Sequence, residues 1–580
     1  MKLIRNMAVA LAAGALMAGC VDKEIDESFF QNPDVNFTYE VDGDEYHYDY
    51  YVVSTIQFHN TSSASGNFTW DFGDGTTSTE VSPTHKYESA GLYKVRLTHD
   101  TKGYAEYPIL IYDIKPVLSM ASSSTEIVEV NNTFITFSLE LPNPENLPVR
   151  YEWTFPEGTT YEDGTPVTSF TGTSDAEGNI TYPEKVKFSN IGSQRIEIAT
   201  YFDTEGENRR LEDAFLNVQV GSDIPAPTLY YATRGGNIKA LKLLDNIPAG
   251  TKVLPYDMGV ASGSTVFNLV YADVPSTETD EEGNPLTQGW VYILDAGKQY
   301  YYINDENGVL GDGKITAMRT DGTNVNTVIT NVGGAAFLDP FIGCAYNGSL
   351  YYTDRNTGTS SIDLTARGSV QGKVSSTQRD SYAFQNNTIP YYGRGISYGA
   401  ISNGLFRDSN NYWWWGKKYN GNGIYRFRDS DIYADQASAE KAGLPTPVMF
   451  SGLRFSAFAF DEARKAVYVW RTSPDPGFVA YNMPEYSGTL TISDTPVKFI
   501  SMEADPVNTT ADEGIFTSQM AVDKTNGRVY FCYRPQTGDG SGFTAGILYY
   551  DPADQKIHRY GETSDLGTGI VINPNPTKLF

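Results

Sequence analysis

Short strand-like apolar runs separated by polar turns fill this chain, and one of them returns six times in its C-terminal part. The phrase is apolar, tyrosine, apolar: Leu229-Tyr230-Tyr231, Val291-Tyr292-Ile293, Leu350-Tyr351-Tyr352, an imperfect Asn411-Tyr412-Trp413, Val467-Tyr468-Val469 and Val529-Tyr530-Phe531. The central tyrosines recur at intervals of 56 to 62 residues. In the clearest copies Ala459-Phe460-Asp461 and Ala521-Val522-Asp523 precede the phrase by seven residues, which reads as strand, polar turn, strand. A further strand follows in Ile315-Thr316-Ala317-Met318, Ile424-Tyr425-Arg426-Phe427 and Ile547-Leu548-Tyr549-Tyr550.

A steady period of this length marks solenoids, arrays or propellers, and the content of the unit decides among them. Here each unit holds about four short strands, and the recurring strand is apolar on both faces, as a sheet covered on both sides requires. Residues 225–580 are therefore expected to form a six-bladed β-propeller. A large sandwich with coincidental spacing is the alternative.

Two further segments precede it. Between 33 and 116 stand Trp70-Asp71-Phe72-Gly73-Asp74-Gly75, Ser82-Pro83-Thr84-His85-Lys86-Tyr87 and Gly91-Leu92-Tyr93-Lys94-Val95-Arg96-Leu97. Trp70 and Phe72 share one face of a strand, Gly73-Asp74-Gly75 turns the chain, and Tyr93, Val95 and Leu97 alternate along a later strand. These motifs resemble a polycystic kidney disease (PKD) domain, which implies a small immunoglobulin-like β-sandwich. Residues 117–221 resemble a degenerate second copy, with Tyr151-Glu152-Trp153-Thr154-Phe155-Pro156-Glu157-Gly158 at the same place but without the second aspartate-glycine turn. Ile224-Pro225-Ala226-Pro227 is expected to form a stiff boundary before the propeller. The fold class expected is thus all-β: two sandwiches, then a propeller.

The first 19 residues carry Lys2 and Arg5 followed by an apolar run from Met7 to Met17, too short to cross a bilayer, which reads as a secretory signal. They end in Leu16-Met17-Ala18-Gly19-Cys20, which resembles the bacterial lipobox and implies a lipidated Cys20. Residues 20–32 then form an acidic tether, opening Val21-Asp22-Lys23-Glu24-Ile25-Asp26-Glu27. This resembles the surface-export signal of lipoproteins in Gram-negative bacteria with glycan-uptake loci, and implies display outside the outer membrane. A plain solvated tether is the alternative.

Composition narrows the chemistry. The formal charge of −28 makes nucleic acid or acidic polysaccharide a poor overall partner, unless a local basic patch overrides the mean. Cys344 and Cys532, in apolar runs of different repeats, are expected to be buried free thiols. Of five histidines, one, His558, lies beyond residue 99, which disfavours histidine-dependent catalysis in the propeller. No cofactor or metal is expected. Asp71 with Asp74, Asp175-Ala176-Glu177-Gly178 and Asp305-Glu306-Asn307-Gly308 read better as turns than as calcium loops.

The distorted repeat holds Tyr412-Trp413-Trp414-Trp415, four aromatics in succession. On a strand Trp413 and Trp415 share one face and Tyr412 and Trp414 the other, so burying all four needs unusual room. Exposed ring area is expected, of the kind that sugar rings stack upon. Trp413 and Trp415, with Tyr391, Tyr392, Arg394 and Tyr300, are the candidate glycan-binding residues; packing between blades is the competing reading for each.

The order anchor, stalk, terminal binding domain resembles the accessory lipoproteins of TonB-dependent glycan uptake. That resemblance implies a non-catalytic outer-membrane lipoprotein that binds glycan beside a transporter and its lid lipoprotein. Two other readings stand: a surface adhesion or assembly protein gripping another protein or peptide, and a propeller lyase or glycoside hydrolase.

Overall fold

The structure is a computed structural model that describes residues 34–40, 50–143, 146–204, 207–233, 235–297, 313–330, 340–354, 358–364, 404–417, 423–428, 454–473, 477–482, 497–498, 519–534 and 543–580. The described elements are all strands. They fall into two compact units, the first comprising 1–122, 135–186 and 195–217, the second 123–134, 187–194 and 218–580.

In the first unit the PKD-like motif builds two sheets around an aromatic core. Trp70 and Phe72 alternate with exposed Asp71, so both rings point inward, stacked at 6.4 Å and 5°. Phe58 leans on both, at 5.5 Å from Trp70 and 5.3 Å from Phe72. The degenerate copy reproduces this triangle. Trp153 and Phe155 stack at 6.2 Å and 5°, with Phe137 at 5.3 Å and 5.9 Å. The second aspartate-glycine turn is therefore dispensable to the core, because the triangle is built from strand positions.

The turn itself behaves as its residue types dictate. Asp71 Oδ1 accepts from Gly73 N at 2.9 Å, and Asp74 Oδ1 accepts from Thr76 N at 2.9 Å. Gly73 is at φ +82° with Lys94 backbone against it, so a side chain fits neither the backbone nor the space. Asp74 Oδ2 meets His85 Nε2 at 2.7 Å.

The second unit holds six antiparallel sheets in sequence, the six blades of the propeller. Their second strands are Ala226–Thr233, Pro285–Asp295, Ser349–Asp354, Trp413–Lys417, Ala466–Ser473 and Val529–Tyr533. Five of the six copies of the phrase lie wholly on these second strands, and the fourth, Asn411-Tyr412-Trp413, reaches its strand only at Trp413; the position explains the two apolar faces, since each strand is paired on both edges and covered by a neighbouring blade on each side. The innermost strands are Gly567–Thr577, Val266–Thr279, Pro340–Tyr346, Leu405–Arg407, Arg454–Asp461 and Met520–Val522. Those of blades 1 and 2, 2 and 3, 3 and 4, 5 and 6, and 6 and 1 lie against one another.

Blade 1 takes its innermost strand from the far end of the chain. Gly567–Thr577 pairs antiparallel with Ala226–Thr233, setting Tyr230 opposite Val571 and Ala226 opposite Thr577. The seam is fastened by Lys242, fully buried, whose Nζ donates to the Ala226 carbonyl and, at 2.9 Å each, to Thr228 Oγ1 and Thr577 Oγ1. At the other end of the same seam Asp565 accepts from Tyr231 OH at 2.7 Å and pairs with Lys239 Nζ at 3.0 Å.

Side-chain amides satisfy the inner edges of the ring. Gln519 Oε1 accepts from Leu269 N at 2.8 Å and Ile570 N at 2.9 Å, while its Nε2 donates to Leu269 O at 2.8 Å. One glutamine thus joins blades 6, 1 and 2. Asn268 Oδ1 does the same for Gly343 N of blade 3 at 3.1 Å.

The proline pair at 225 and 227 does not end this unit. Ile191 forms a parallel bridge with Val253, its N donating to Lys252 O at 3.0 Å and its O accepting from Leu254 N at 2.8 Å. Tyr256 OH donates to Val220 O at 2.6 Å, Ser222 N donates to Lys578 O at 2.8 Å, and Lys578 pairs with Glu129. Stiffness in the sequence marked a change of fold, but backbone pairing carries across it.

Both thiols beyond Cys20 are free, as expected; Cys532 is buried and Cys344 half-buried. Cys532 packs where Gly567 passes, so a side chain at 567 meets its Sγ.

Candidate functional site

Successive connections of an antiparallel meander alternate between the two faces of the ring. In every blade after the first, the turn from first to second strand therefore lies on the same face as the end of the third strand. In blade 4 that turn is Asp408 to Tyr412. Asp408 is 2% exposed; its Oδ1 accepts from Asn410 N at 2.9 Å and Tyr412 N at 2.8 Å, and its Oδ2 from Trp414 Nε1 at 2.7 Å. Blades 5 and 6 place Asp461 and Asp523 at the same point of the turn, each buried.

This register corrects the reading of the repeat. Trp414 lies opposite Phe406, two residues before Asp408, as Tyr530 lies opposite Ala521, two before Asp523. Trp414, not Tyr412, occupies the recurring aromatic position. The fourth copy is Trp413-Trp414-Trp415, and it is a regular one.

The tryptophan run also departs from the expected exposure. Trp413, Trp414 and Trp415 are 1%, 1% and 5% exposed. The alternation of faces holds, and each face has its own cluster to enter. Trp413 and Trp415 pack with Ala296, Ile342, Leu405 and Tyr425, whereas Trp414 packs with Ile424, Phe455, Phe458 and Val469. Small residues make the room: a Cβ on Gly404 or Gly416 meets the Phe458 ring. As placed, neither Trp413 nor Trp415 offers an open face to a sugar. Tyr300, Tyr391, Tyr392, Arg394 and Cys20 lie outside the described residues.

At this end of blade 4 a set of guanidinium groups is laid on aromatic rings. Arg426 and Arg428, two residues apart, both sit 4.5 Å from the Tyr412 ring centroid, and Arg426 is also 5.5 Å from Trp414. On the other side of the sheet Arg407 lies 4.6 Å from Trp413 and 5.2 Å from Tyr346 of blade 3. Tyr346 OH donates to Asn411 Oδ1 at 3.0 Å. Asn411 and Arg428 are exposed, and Tyr346, Arg407, Tyr412 and Arg426 are half-buried. Glu462 of blade 5 accepts from Ser409 beside the turn. Stacking on an aromatic face holds a guanidinium plane in place.

These arginines were not singled out by the sequence. The alternation Arg426-Phe427-Arg428 beside an aromatic run was the available signal, but the ring each arginine covers depends on register.

A second polar cluster surrounds Asp565. Burial opposes its charge, yet hydrogen bonds from Thr563, Tyr231 and Lys239 hold its carboxyl below the usual range. Tyr231 is pushed up, by burial first and then by Asp565. These groups satisfy one another at the seam. The exposed carboxylates of Asp175 and Asp280 each bond the backbone and amide of an asparagine four residues on, closing turns. Among the described residues no group of three or more His, Cys, Asp or Glu is placed to hold a metal ion. His558, the propeller's one histidine, pairs with Asp554 at 2.8 Å.

Comparison with known proteins assigns one part of the chain. Residues 32–106 match the PKD domain family. Collagenase ColA of Bacillus cereus is 48% identical over 58 residues, 9% of this chain and 6% of that protein. The pre-pro-metalloprotease PrtV of Vibrio cholerae serotype O1 is 33% identical over 109 residues, 18% of this chain and 12% of that protein. The chain thus spans a small fraction of the length of these curated relatives. Among solved structures, a quinonprotein alcohol dehydrogenase-like protein from Bacteroides thetaiotaomicron aligns over 77% of this chain and 96% of its own at 13% identity, with a TM-score of 0.31.

Proposed function

We propose that this chain is a non-catalytic cell-surface lipoprotein that binds glycan through its propeller and assists uptake across the outer membrane. Cys20 anchors it, the acidic tether and PKD-type sandwiches form the stalk, and a TonB-dependent transporter with its lid lipoprotein is the partner. The observation that supports this most is the half-buried Tyr412 and Tyr346 beside exposed Asn411 at the end of blade 4, which joins aromatic surface to a polar amide as carbohydrate sites do. With Trp413 and Trp415 buried, the glycan contacts move to Tyr412, Tyr346 and Asn411.

Native gels with a polysaccharide panel test the reading. Retardation by a glycan without release of products is expected. Product release favours the hydrolase or lyase reading, and retardation by none, with capture of a peptide or protein, favours adhesion.

A further inference from the structure

Between blades 2 and 3 the packing layer holds polar donors that nothing satisfies. Trp290 Nε1, Tyr292 OH and Arg319 Nε are buried and have no hydrogen-bond partner among the described residues. Trp290 and Tyr292, both 0% exposed, stand two apart on their strand, and Arg319 pairs directly opposite Trp290 on the next, so the three side chains leave one face of blade 2. That face packs on Leu350, Tyr352, Ile362 and Leu364 of blade 3. In blades 1 and 4 the recurring ring finds a partner for its polar atom: Tyr230 OH donates to Thr320 O at 2.8 Å, and Trp414 Nε1 to Asp408 Oδ2 at 2.7 Å. Tyr292 holds the same place in the repeat without one. Arg319 is half-buried, and Asp321 in the turn that follows accepts instead from Thr323 N at 2.9 Å and Thr323 Oγ1 at 2.6 Å.

A buried donor left unmatched costs the fold the full desolvation of that group, so three on one face mark a place where an acceptor belongs. We propose that the layer between blades 2 and 3 is a binding site for a small carboxylate. Two carboxylate oxygens accept about four hydrogen bonds, and the donors here match them: the guanidinium fork of Arg319, the indole N–H of Trp290 and the phenol O–H of Tyr292. One negative charge also matches one guanidinium, whereas a phosphate dianion would bring an unpaired charge into an apolar layer. Leu350, Ile362 and Leu364 are the surface for the carbon body of the ligand. Because the donors are packed away from water, the carboxylate enters past half-buried Arg319 as the two blades part, and the liganded layer closes over it.

Calorimetry and thermal melts on the full chain, with acetate, acetamide and phosphate as probes, test the proposal. Acetate should bind and raise the melting temperature, phosphate should bind more weakly, and acetamide should do neither. Arg319→Met should lower the acetate affinity by about tenfold or more, and Tyr292→Phe by about threefold or more. In acetate-free buffer Tyr292→Phe should melt no lower than the wild type, because it removes a polar group that has no partner. A lower melting temperature there means that the hydroxyl is already satisfied within the fold, and overturns the site. Should Arg319→Met fail to fold, Tyr292→Phe alone carries the test. Equal effects of acetate and acetamide overturn the need for charge, and tighter binding of phosphate overturns the ligand class. Acetate affinity unchanged in the folded variants overturns the location, and binding of none of the probes overturns the proposal. Glycan binding at the end of blade 4 shares no residue with this site and stands or falls separately.

Discussion

Lys242 and Thr577 meet at the seam of the ring, Nζ 2.9 Å from Oγ1, with no carboxylate among the three hydrogen-bond acceptors that hold the ammonium. Burial pushes this lysine down to about 7, from an ordinary 10.5. Below the folded value both states are protonated and the cost of burying the charge is present in full. As pH rises from about 7 toward 10.5 the folded state sheds its proton first, the unfolded chain binds more protons, and stability increases.

The melting temperature should therefore climb between pH 7 and 9, and Lys242→Met should flatten that slope. The comparison belongs below about pH 10, where exposed tyrosines ionise while buried ones such as Tyr530 are held above their ordinary value. A wild-type slope equal to that of the variant would remove Lys242 as its source.

Trp414→Ala should destabilise the propeller by ~3–5 kcal/mol, since it empties a fully buried site and leaves Asp408 without its indole donor. Trp413→Ala and Trp415→Ala should fall in the same range. Denaturant melts measure all three. A loss under ~1 kcal/mol in any of them would show that the ring is not core.

Gln519→Leu keeps the volume but strips the hydrogen bonds from Leu269 N, Leu269 O and Ile570 N, all on buried residues of two other blades. Each buried group left unsatisfied costs ~1–3 kcal/mol, so a loss of several kcal/mol is expected. Gln519→Glu, which keeps the acceptors and loses the donor, should cost less at low pH than at neutral pH, as read by thermal melts.

Gly192→Ala tests the pairing upstream of the proline boundary. Its φ of +115° strains any side chain, and a Cβ there would lie 2.2 Å from Leu254 O. A lowered melting temperature of the propeller transition is expected, with ~1–3 kcal/mol from backbone strain alone. If that transition stays put while a sandwich transition moves, residues 187–194 do not support the ring.

How far the sequence was legible depended on where the information lay. Trp70-Asp71-Phe72-Gly73-Asp74-Gly75 is local, since a strand and its turn specify themselves, and its structure followed. The phrase around Tyr230, Tyr292 and Tyr468 was legible because a strand covered on both faces must be apolar on both. Trp413 and Trp415 misled because exposure is set by partners from other blades, Ala296 and Ile342 among them, whose proximity no spacing reveals. Tyr412 misled for a simpler reason: the polar turn before it varies in length, so counting from the previous tyrosine lost the register that Asp408 fixes. Arg407 on Tyr346 joins two blades and is invisible until they are side by side.

The C-terminal strand of blade 1 also sets a timetable. A ribosome delivers Ala226–Thr233 early, and its partner edge Gly567–Thr577 comes after every other described strand, so Tyr230 waits for Val571 through the making of five blades. Throughout that interval the first blade presents an unpaired, strongly apolar edge, the kind of surface that invites pairing with a neighbouring chain. Such a long-range closure is slow to find and comes last. Newly made copies are thus most vulnerable to sticking together until Gly567–Thr577 has been made, and a chain without that strand would carry the open edge permanently.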